Sequence, residues 1–269
     1  MARKKTPFKK EWFVLLKDEE KYKGRRKDGP TSLLLMKLDR IIPKKLSGAL
    51  NKAFSKAFDL IFEKGTWLIE RTYNKKGKEV QFKVSTYEND LANNRKTAKK
   101  FRRTAQKDKI INILISLLEG IVMGIFGLAM PDIPIFVGMV LKSVYEVALN
   151  YGYDYHDDNE KIFILKIIEV SMMDDLDFEE NDKELNSAID YLAINGDKIE
   201  SFDITKKGQI EATSHALAKE MLYTKFLQQI MVIGLFGGLF DPAYVNRIST
   251  YAELKYRRRF LGKKTNEEK

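Results

Sequence analysis

The loop at residues 153–160, YDYHDDNE, contains the residue types best suited to chemistry in this chain. It combines the imidazole of His156 with several carboxylates, and oxygen-rich sets of this kind bind hard cations. EF-hand spacing is absent, and no second group of ligands accompanies the loop at helical spacing. We therefore favour a hydrated acidic loop and assign no metal site. The candidate polar site comprises Glu119, Tyr151, Tyr153, Asp154 and His156.

Two carboxylates lie in otherwise apolar surroundings. Between residues 110 and 141 the only charged residues are Glu119 and Asp132. A carboxylate in lipid or in a protein core needs a partner, so Glu119 is expected to face a protein interior or a cavity. Asp132 and Asp241 each lie at a break in an apolar run, where capping of the following helix is favoured over a ligand role.

No catalytic or cofactor motif accompanies these residues. The chain has 0 Cys and 2 His, which excludes disulfides, thiolate sites and multi-histidine metal centres. It has no Walker-type phosphate loop and no GxGxxG after a strand. Ser214 precedes His215, but no nucleophile elbow surrounds them. We assign no catalytic residue and no cofactor, and we favour a protein that is not an enzyme.

The apolar segment at residues 110–153 must position several of these groups. Its first leg, residues 110–130, is long enough to cross a bilayer, for which about 20 apolar residues are needed. A Pro-Asp-Ile-Pro break follows, and Lys142 interrupts the second leg. The segment predicts a helical hairpin. It either enters a membrane or forms the buried centre of a soluble bundle, and hydropathy alone leaves both alternatives open.

Glycines at helical spacing occur in this hairpin and again near the C-terminus. Spacings of four and three residues place the first group on one helical face, which lets another backbone approach closely in a membrane or in a protein core. The second group precedes an Asp-Pro break and indicates a second hairpin at 222–260, although two such apolar runs can also resemble each other by chance. The residues assigned to helix packing or insertion are Gly120, Gly124, Gly127, Pro131, Asp132, Pro134, Gly234, Gly237, Gly238, Asp241 and Pro242.

Apolar residues at three- and four-residue spacing predict an all-α fold. We expect a multi-helix bundle with a central apolar helical hairpin at 110–153 and a possible second hairpin at 222–260. The helix over 46–73 is expected to bury its apolar stripe in the core, with a membrane-surface helix as the alternative. Further helices are expected over 160–173, 185–194 and 214–240, and a final helix is expected to end near residue 260.

The chain divides by composition into three parts. Residues 1–45 form a basic N-terminal region, residues 46–261 a single helical domain, and residues 262–269 a disordered tail. Within the domain, residues 73–94 form a polar excursion. Alternation over residues 79–84 predicts a short strand there, in a small hairpin or an irregular loop.

Charge is distributed unevenly along the chain. Up to Lys109 there are 31 Lys/Arg against 13 Asp/Glu, a net charge of +18, whereas the remainder carries −8. A basic flank beside an apolar segment favours the cytoplasmic side of a membrane and attracts anionic lipids. Nucleic acid attracts the same charges but is disfavoured, since no nucleic-acid module is present. The predicted membrane-facing basic residues are Arg95, Lys96, Lys99, Lys100, Arg102, Arg103, Arg257, Arg258 and Arg259.

A dense acidic run extends from Asp174 to Asp182. Such runs usually form hydrated surface. The alternative is a basic partner, which could be the N-terminal half of this chain.

These motifs together resemble the EcsC family. The resemblance is carried by residues 124–134 with their Pro-Asp-Ile-Pro break, by Tyr-Gly-Tyr-Asp at 151–154, by the helix over 160–173 and by the C-terminal glycines, Asp241 and the Arg-Arg-Phe-Leu run at 258–261. It covers residues 12–261, with the polar excursion corresponding least. The resemblance implies a predominantly helical, membrane-associated cytoplasmic protein without an established activity. The family takes its name from the third gene of a bacterial operon whose other products form an ABC transporter. The resemblance implies no catalytic residues.

Two functions follow as hypotheses. The first is a helical protein on the inner face of the cell membrane that binds anionic lipids or assists a membrane complex, such as the subunits of an ABC transporter. The second is a soluble helical enzyme or small-molecule binder with a cleft near Glu119, Asp132 and residues 151–158.

Overall fold

The computed structural model of the chain describes residues 6–26, 38, 40–71, 75–92, 132–195, 204–227 and 242–267. Its elements are α1 (Pro7–Arg26), α2 (Lys44–Leu60), a π-helical turn (Ile61–Gly65), α3 (Thr66–Arg71), α4 (Lys75–Ala92), α5 (Asp132–Asn150), α6 (Asp158–Met172), α7 (Asp175–Asn195), α8 (Lys206–Leu227) and α9 (Pro242–Glu267). These ranges contain no strand, and the predicted all-α bundle is confirmed. The first leg of the predicted central hairpin, residues 110–131, lies outside the described residues, as do residues 228–241 of the second hairpin.

The helix predicted over 46–73 is present as α2, the π-helical turn and α3. Apolar residues at three- and four-residue spacing fall on one side of a helix. On that side Leu50, Phe54 and Phe58 are buried, whereas Lys52 and Lys56 on the other side are exposed. The stripe therefore lies in the protein core, and the alternative of a helix lying on a membrane surface is not observed for α2.

Helices α5 and α9 pack side by side and run in the same direction. Near their starts, the rings of Phe136 and Tyr244 lie 6.4 Å apart. Near their ends, the rings of Tyr151 and Phe260 lie 5.9 Å apart. Helix α2 also packs on α5, with Phe54 6.2 Å from Phe136. Glu70, beyond the end of α2, lies 2.6 Å from the Tyr155 hydroxyl, beyond the end of α5, so the starts of these helices lie toward one end of the bundle.

The other helices alternate in direction around this pair. Helix α1 is antiparallel to α9, since Phe8 packs on Phe260 at 6.1 Å near its start and Tyr22 packs on Tyr251 at 5.4 Å near its end. Helix α6 is also antiparallel to α9, because Arg247 near the start of α9 donates to the carbonyl of Met173 at 3.0 Å. Helix α7 consequently runs with α9.

Helix α8 is parallel to α6. The ammonium of Lys206 lies 3.1 Å from the carboxylate of Asp158 at their starts. Lys219 lies 2.9 Å from Asp174 at the far end of the same pair. Helix α8 therefore ends near the start of α9.

These directions place four chain connections at one end of the bundle. Helices α1, α6 and α8 end there, and α2, α5, α7 and α9 begin there. Residues 110–131 thus join α5 at this end, and residues 228–241 join α8 to α9 at the same end. We call it the attachment end. The loop at 151–157 lies at the opposite end.

One helix within the described ranges is long and apolar enough to cross a membrane. It is the segment Ile133–Asn150 in α5, with a mean hydropathy of 1.4. In the bundle 94% of this segment is buried, because α2, α4 and α9 cover it. The second leg of the predicted central hairpin is thus a core helix of the bundle.

Two predictions about secondary structure were wrong. Residues 79–84 form no strand, because they belong to helix α4. The alternation that predicted the strand covers only six residues, and Phe82 packs against Phe260 from a helical backbone. Residues 262–267 are not a disordered tail, since they continue α9, and Gly262 is buried. Helix α1, which the sequence analysis placed in a separate basic region, shares the core with α9.

Candidate functional site

The turn after α5 determines where the side chains of the predicted polar site lie. Gly152 has φ +82, a left-handed conformation that favours glycine. Its N–H donates to Leu149 at 3.0 Å, and the N–H of Tyr153 donates to Ala148 at 3.0 Å. These two hydrogen bonds form a Schellman motif, which ends helix α5 at this turn. Asp157 then starts α6 by accepting from the N–H of Asn159 at 2.8 Å.

The predicted polar site does not form one cluster. Tyr151 is buried, and its hydroxyl donates to Glu253 at 3.4 Å. Tyr153 packs under the guanidinium of Arg259, 4.0 Å from the ring. Asp154 is exposed and accepts from the N–H of His156 at 3.0 Å. The two tyrosines therefore belong to the bundle and the other two residues to a solvated loop, while Glu119 lies outside the described residues.

His156 joins a different cluster, which the sequence did not indicate. One oxygen of Glu70 accepts from the Tyr155 hydroxyl at 2.6 Å and from the Lys75 ammonium at 3.0 Å. The Nε2 atom of His156 lies 2.8 Å from the same oxygen. Burial of Glu70 raises the pKa of its carboxyl, but the hydrogen bonds from Tyr155, Lys75 and His156 outweigh that effect and lower it. The cluster ties α3 to the loop before α6.

This cluster predicts a pH-dependent contribution to stability. A carboxyl whose pKa is lowered by folding stabilises the protein above its unfolded pKa, near 4.5, and this contribution is lost as the pH falls through the lower folded-state value. We expect Glu70→Gln to lower the free energy of unfolding by about 1 kcal/mol at neutral pH. The difference should shrink as the pH falls below 4.5, as measured by urea unfolding.

The exposed Glu63 in the π-helical turn provides a matched control. Glu63→Gln should leave the unfolding free energy nearly unchanged at every pH. A Glu70→Gln difference that stayed constant down to pH 3 would contradict the proposed role of the carboxylate.

The cleft suggested by Asp132 and residues 151–158 is absent. Asp132 begins α5 and Asn150 ends it. At 1.5 Å per residue, about 27 Å of helix separates the two groups. The hypothesis of a single active-site cleft containing both is therefore wrong.

The membrane-facing role predicted for Arg257 and Arg259 is also wrong, and the half-buried Arg258 pairs with Glu19 and Asp190 at 2.8 Å each. Arg257 and Arg259 are at most 3% exposed. Arg257 lies 2.7 Å from Asp18 of α1, and Arg259 lies 2.8 Å from Glu160 of α6. These residues bind neighbouring helices, because α9 is surrounded by α1, α5, α6 and α7. The other predicted basic residues, Arg95, Lys96, Lys99, Lys100, Arg102 and Arg103, lie outside the described residues.

The acidic run contains both hydrated and paired residues. Asp182 is buried between Lys255, at 2.6 Å, and Lys23 of α1, at 2.9 Å. Burial raises the pKa of Asp182, but these two ammonium groups and the Tyr251 hydroxyl lower it overall. Part of the run therefore binds the N-terminal half of the chain, which was the alternative interpretation.

The residues assigned to helix packing or insertion cluster around the attachment end where they are described. Asp132 begins α5, Pro134 lies in its first turn and Pro242 begins α9. Proline is favoured in a first turn, since its missing N–H has no partner to lose there. The remaining members lie outside the described residues. They are Gly120, Gly124, Gly127, Pro131, Gly234, Gly237, Gly238 and Asp241.

The start of α2 extends beyond α5 at the attachment end. Phe54 lies opposite Phe136, so α2 begins about six residues, or about 9 Å, before α5 does. The chain entering α2 exposes Ile41, with 62% of its surface accessible. Lys44 and Lys45 are exposed beside it. This end therefore carries an exposed apolar residue with neighbouring positive charges, next to the start of α5.

The comparisons with known proteins agree with the sequence motifs. The EcsC protein family matches residues 15–261, a range that begins in α1 and ends in α9. The chain is also similar to a Bacillus subtilis (strain 168) protein described as uncharacterized protein YdbA. The two are 40% identical over 51 residues, which covers 19% of this chain and 18% of that protein. No solved structure matches the chain. Because the family match spans nearly its whole length, the chain belongs to the EcsC protein family.

Proposed function

We propose that this protein is a non-enzymatic, membrane-associated helical protein on the cytoplasmic face of the cell membrane, where it binds anionic lipid through the attachment end. The observation that carries the proposal is the position of the starts of α5 and α9, each of which follows an apolar run in the sequence. Residues 110–130 lead into α5 and residues 228–240 lead into α9, and these two helices start side by side. Apolar chain that joins a bundle at one end can enter one membrane surface.

Charge supports the same orientation. Residues 95–109 carry eight Lys/Arg and one Asp directly before the first apolar run. Lys44 and Lys45 add exposed positive charge at the attachment end, where they offset part of the negative charge of the exposed Asp177, Glu179 and Glu180 at the start of α7. Each basic residue near an anionic membrane contributes about 1 kcal/mol of attraction. The bundle would therefore approach the bilayer with its attachment end first.

Vesicle sedimentation tests the proposal. The full-length protein should sediment with vesicles of phosphatidylcholine and an anionic lipid, and less with phosphatidylcholine alone. Replacing Ile113, Leu117, Ile121 and Ile125 by serine should abolish most of the binding, because burial of each side chain is worth about 1.5–3 kcal/mol. Salt alone should release the protein only in part, since the apolar contribution is not screened.

The exposed apolar residues of α7 supply the control. Tyr191 and Ile194 lie near the end of α7, at the opposite end of the bundle. Replacing both by serine should leave vesicle binding unchanged. Recovery of all wild-type protein in the soluble fraction, both with vesicles and after cell lysis, would overturn the proposal.

Because the chain belongs to the EcsC family, we extend the proposal to a partner: the membrane complex that the protein would assist is an ABC transporter. Capture of transporter subunits with this protein from detergent-solubilised membranes would support that part. Capture that is equally efficient for the serine variant of residues 113, 117, 121 and 125 would show that any such contact does not depend on the membrane.

A further inference from the structure

Helices α1 and α7 form an outer face of the bundle, one on each side of α9. A Cβ atom placed on Gly262 of α9 would lie 2.9 Å from Ala193 of α7 and 3.8 Å from Trp12 of α1. Toward the attachment end, Lys23 of α1 lies 2.9 Å from Asp182 of α7. Because equal lengths of both helices separate these two contacts, they define one antiparallel register. We call this surface the α1–α7 face.

The α1–α7 face exposes an apolar patch near the end of the bundle opposite the attachment end. Phe13 and Leu16 contribute to the patch from α1, and 36–47% of each is accessible. Tyr191 and Ile194 contribute from α7, and 57–69% of each is accessible. The register places all four side chains within about 8 Å along the helix axes. They are four of the eight large apolar side chains that are exposed in the described ranges, and such clustering marks an interaction surface.

Charges of opposite sign continue from this patch toward the attachment end. On α1, Lys17 and Lys21 are exposed one turn apart. On α7, Glu180 and Glu184 are exposed one turn apart. Like charges at this spacing repel each other. The register sets Lys21 level with Glu184, but neither residue lines the groove between the two helices. The outer sides of α1 and α7 therefore carry opposite charges that do not meet within one copy.

A pair of reversed sign lies in the groove itself. Glu20 of α1 and Lys183 of α7 both line it, and both are exposed. In the register these two residues are about 3 Å apart along the helix axes. Each helix is therefore complementary to the other at matching levels. Basic residues of α1 correspond to acidic residues of α7 on the outer sides, and the signs are exchanged beside the groove.

A second copy of the chain fits this pattern. A two-fold axis along the groove, parallel to the helices, would place α1 of one copy over α7 of the other at the same level. Lys21 would then meet the partner's Glu184, and Glu20 would meet the partner's Lys183. The two apolar patches would meet across the axis. An axis perpendicular to the helices would instead place α1 on α1, where like charges oppose each other.

We propose that two copies of this protein associate through their α1–α7 faces about a two-fold axis parallel to the helices. The face measures about 20 Å along the helices and about 20 Å across them, so the dimer buries on the order of 1,000 Å². This area is small for a specific interface, and we expect a dissociation constant of about 10–100 µM. The dimer does not rest on the proposed function. It is compatible with that function, because both attachment ends point the same way.

Analytical ultracentrifugation of the full-length protein in a density-matched non-ionic detergent tests the dimer. We expect monomers below about 1 µM and dimers above about 100 µM. Replacing both Lys17 and Lys21 by glutamate should weaken dimerisation at least about tenfold, because like charges then oppose each other at both symmetric contacts. Replacing the exposed Lys52 and Lys56 of α2 by glutamate changes the net charge equally and should leave dimerisation unchanged.

Reversal of the acidic residues identifies the helix that faces α1. Replacing both Glu180 and Glu184 by lysine should also weaken dimerisation. A chain that carries these two changes together with Lys17→Glu and Lys21→Glu should dimerise like the wild type, because the basic and acidic sides have then exchanged places. A contact of α1 with α1 predicts no such recovery. Circular dichroism checks that each variant is folded.

A serine variant separates the dimer from membrane binding. Replacing both Tyr191 and Ile194 by serine should weaken dimerisation at least about tenfold, since the symmetric contact loses four apolar side chains. Vesicle binding, measured with sub-micromolar and therefore monomeric protein, should stay unchanged. Failure of the wild type to bind vesicles would overturn the proposed function and leave the dimer standing.

Three results would overturn the dimer itself. The first is a wild-type protein that remains monomeric above about 100 µM. The second is undiminished dimerisation of the folded variant with glutamate at positions 17 and 21, which would place any contact on another face. The third is a folded chain with all four charge reversals that does not recover dimerisation.

Discussion

Replacing Arg259 by leucine is expected to lower the free energy of unfolding by about 3–5 kcal/mol. The guanidinium donates to Glu160 at 2.8 Å, and Tyr256 donates to the other oxygen of that carboxylate at 2.6 Å. All three side chains are buried. Burial alone would lower the pKa of Arg259, but Glu160 holds it above its usual value. Loss of the guanidinium would leave a buried carboxylate without a counter-charge.

A second substitution separates the charge from the packing. Adding Glu160→Gln to Arg259→Leu should recover much of the lost stability, because the neutral amide still accepts from Tyr256. The exposed Lys207 of α8 is the control, and Lys207→Leu should change the unfolding free energy by less than about 0.5 kcal/mol. Urea unfolding followed by circular dichroism measures all variants. An Arg259→Leu protein within 1 kcal/mol of wild type would contradict the expected cost.

Substitution of Gly152 by alanine is expected to destabilise the bundle by about 2–4 kcal/mol. At the φ of +82 that Gly152 adopts, a residue with a side chain would lower the free energy of unfolding by about 1–2 kcal/mol. A Cβ atom there would also lie 2.2 Å from the ring of Phe82. The ring cannot move freely, because it packs on Phe260 at 6.2 Å, and forced repacking of a core costs about 1–3 kcal/mol.

A double-mutant cycle distinguishes these two causes. In a Phe82→Ala background the clash disappears, so Gly152→Ala should cost only the backbone part, about 1–2 kcal/mol. Gly24 serves as the control, since it lies in α1 with no atom close to the position of a new Cβ. Gly24→Ala should be neutral or stabilising. Equal costs of Gly152→Ala in both backgrounds would show that Phe82 does not restrict this turn.

The periodicity of apolar residues correctly predicted those helices that bury a single apolar face. The spacing of Leu50, Phe54 and Phe58 identified α2 and its core face correctly, because a 3.6-residue repeat determines both. The same reasoning failed at residues 79–84. Three apolar residues in alternation fit a strand, yet they lie within the continuous helix Lys75–Ala92. A two-residue repeat over only six positions is weaker evidence than the helix propensity of the residues that surround it.

Charge partners could not be predicted from local sequence. The arginines at 257–259 form a basic cluster that resembles a lipid-binding patch, and nothing near them in sequence indicates otherwise. Their partners Asp18 and Glu160 lie far away in the chain and meet them only through the packing of α9 against α1 and α6. The pairing of Glu70 with His156 depends in the same way on helix directions.

The parallel arrangement of α5 and α9 determines how firmly such a protein could be held. Packed helices lie about 8–10 Å apart, so the two apolar runs join the bundle as two tethers with closely spaced origins. Once one tether engages a surface, the other is confined at a high effective concentration, and the two weak attachments multiply. Under the proposed function, membrane binding would depend on both runs, so loss of either one would reduce the affinity by far more than half.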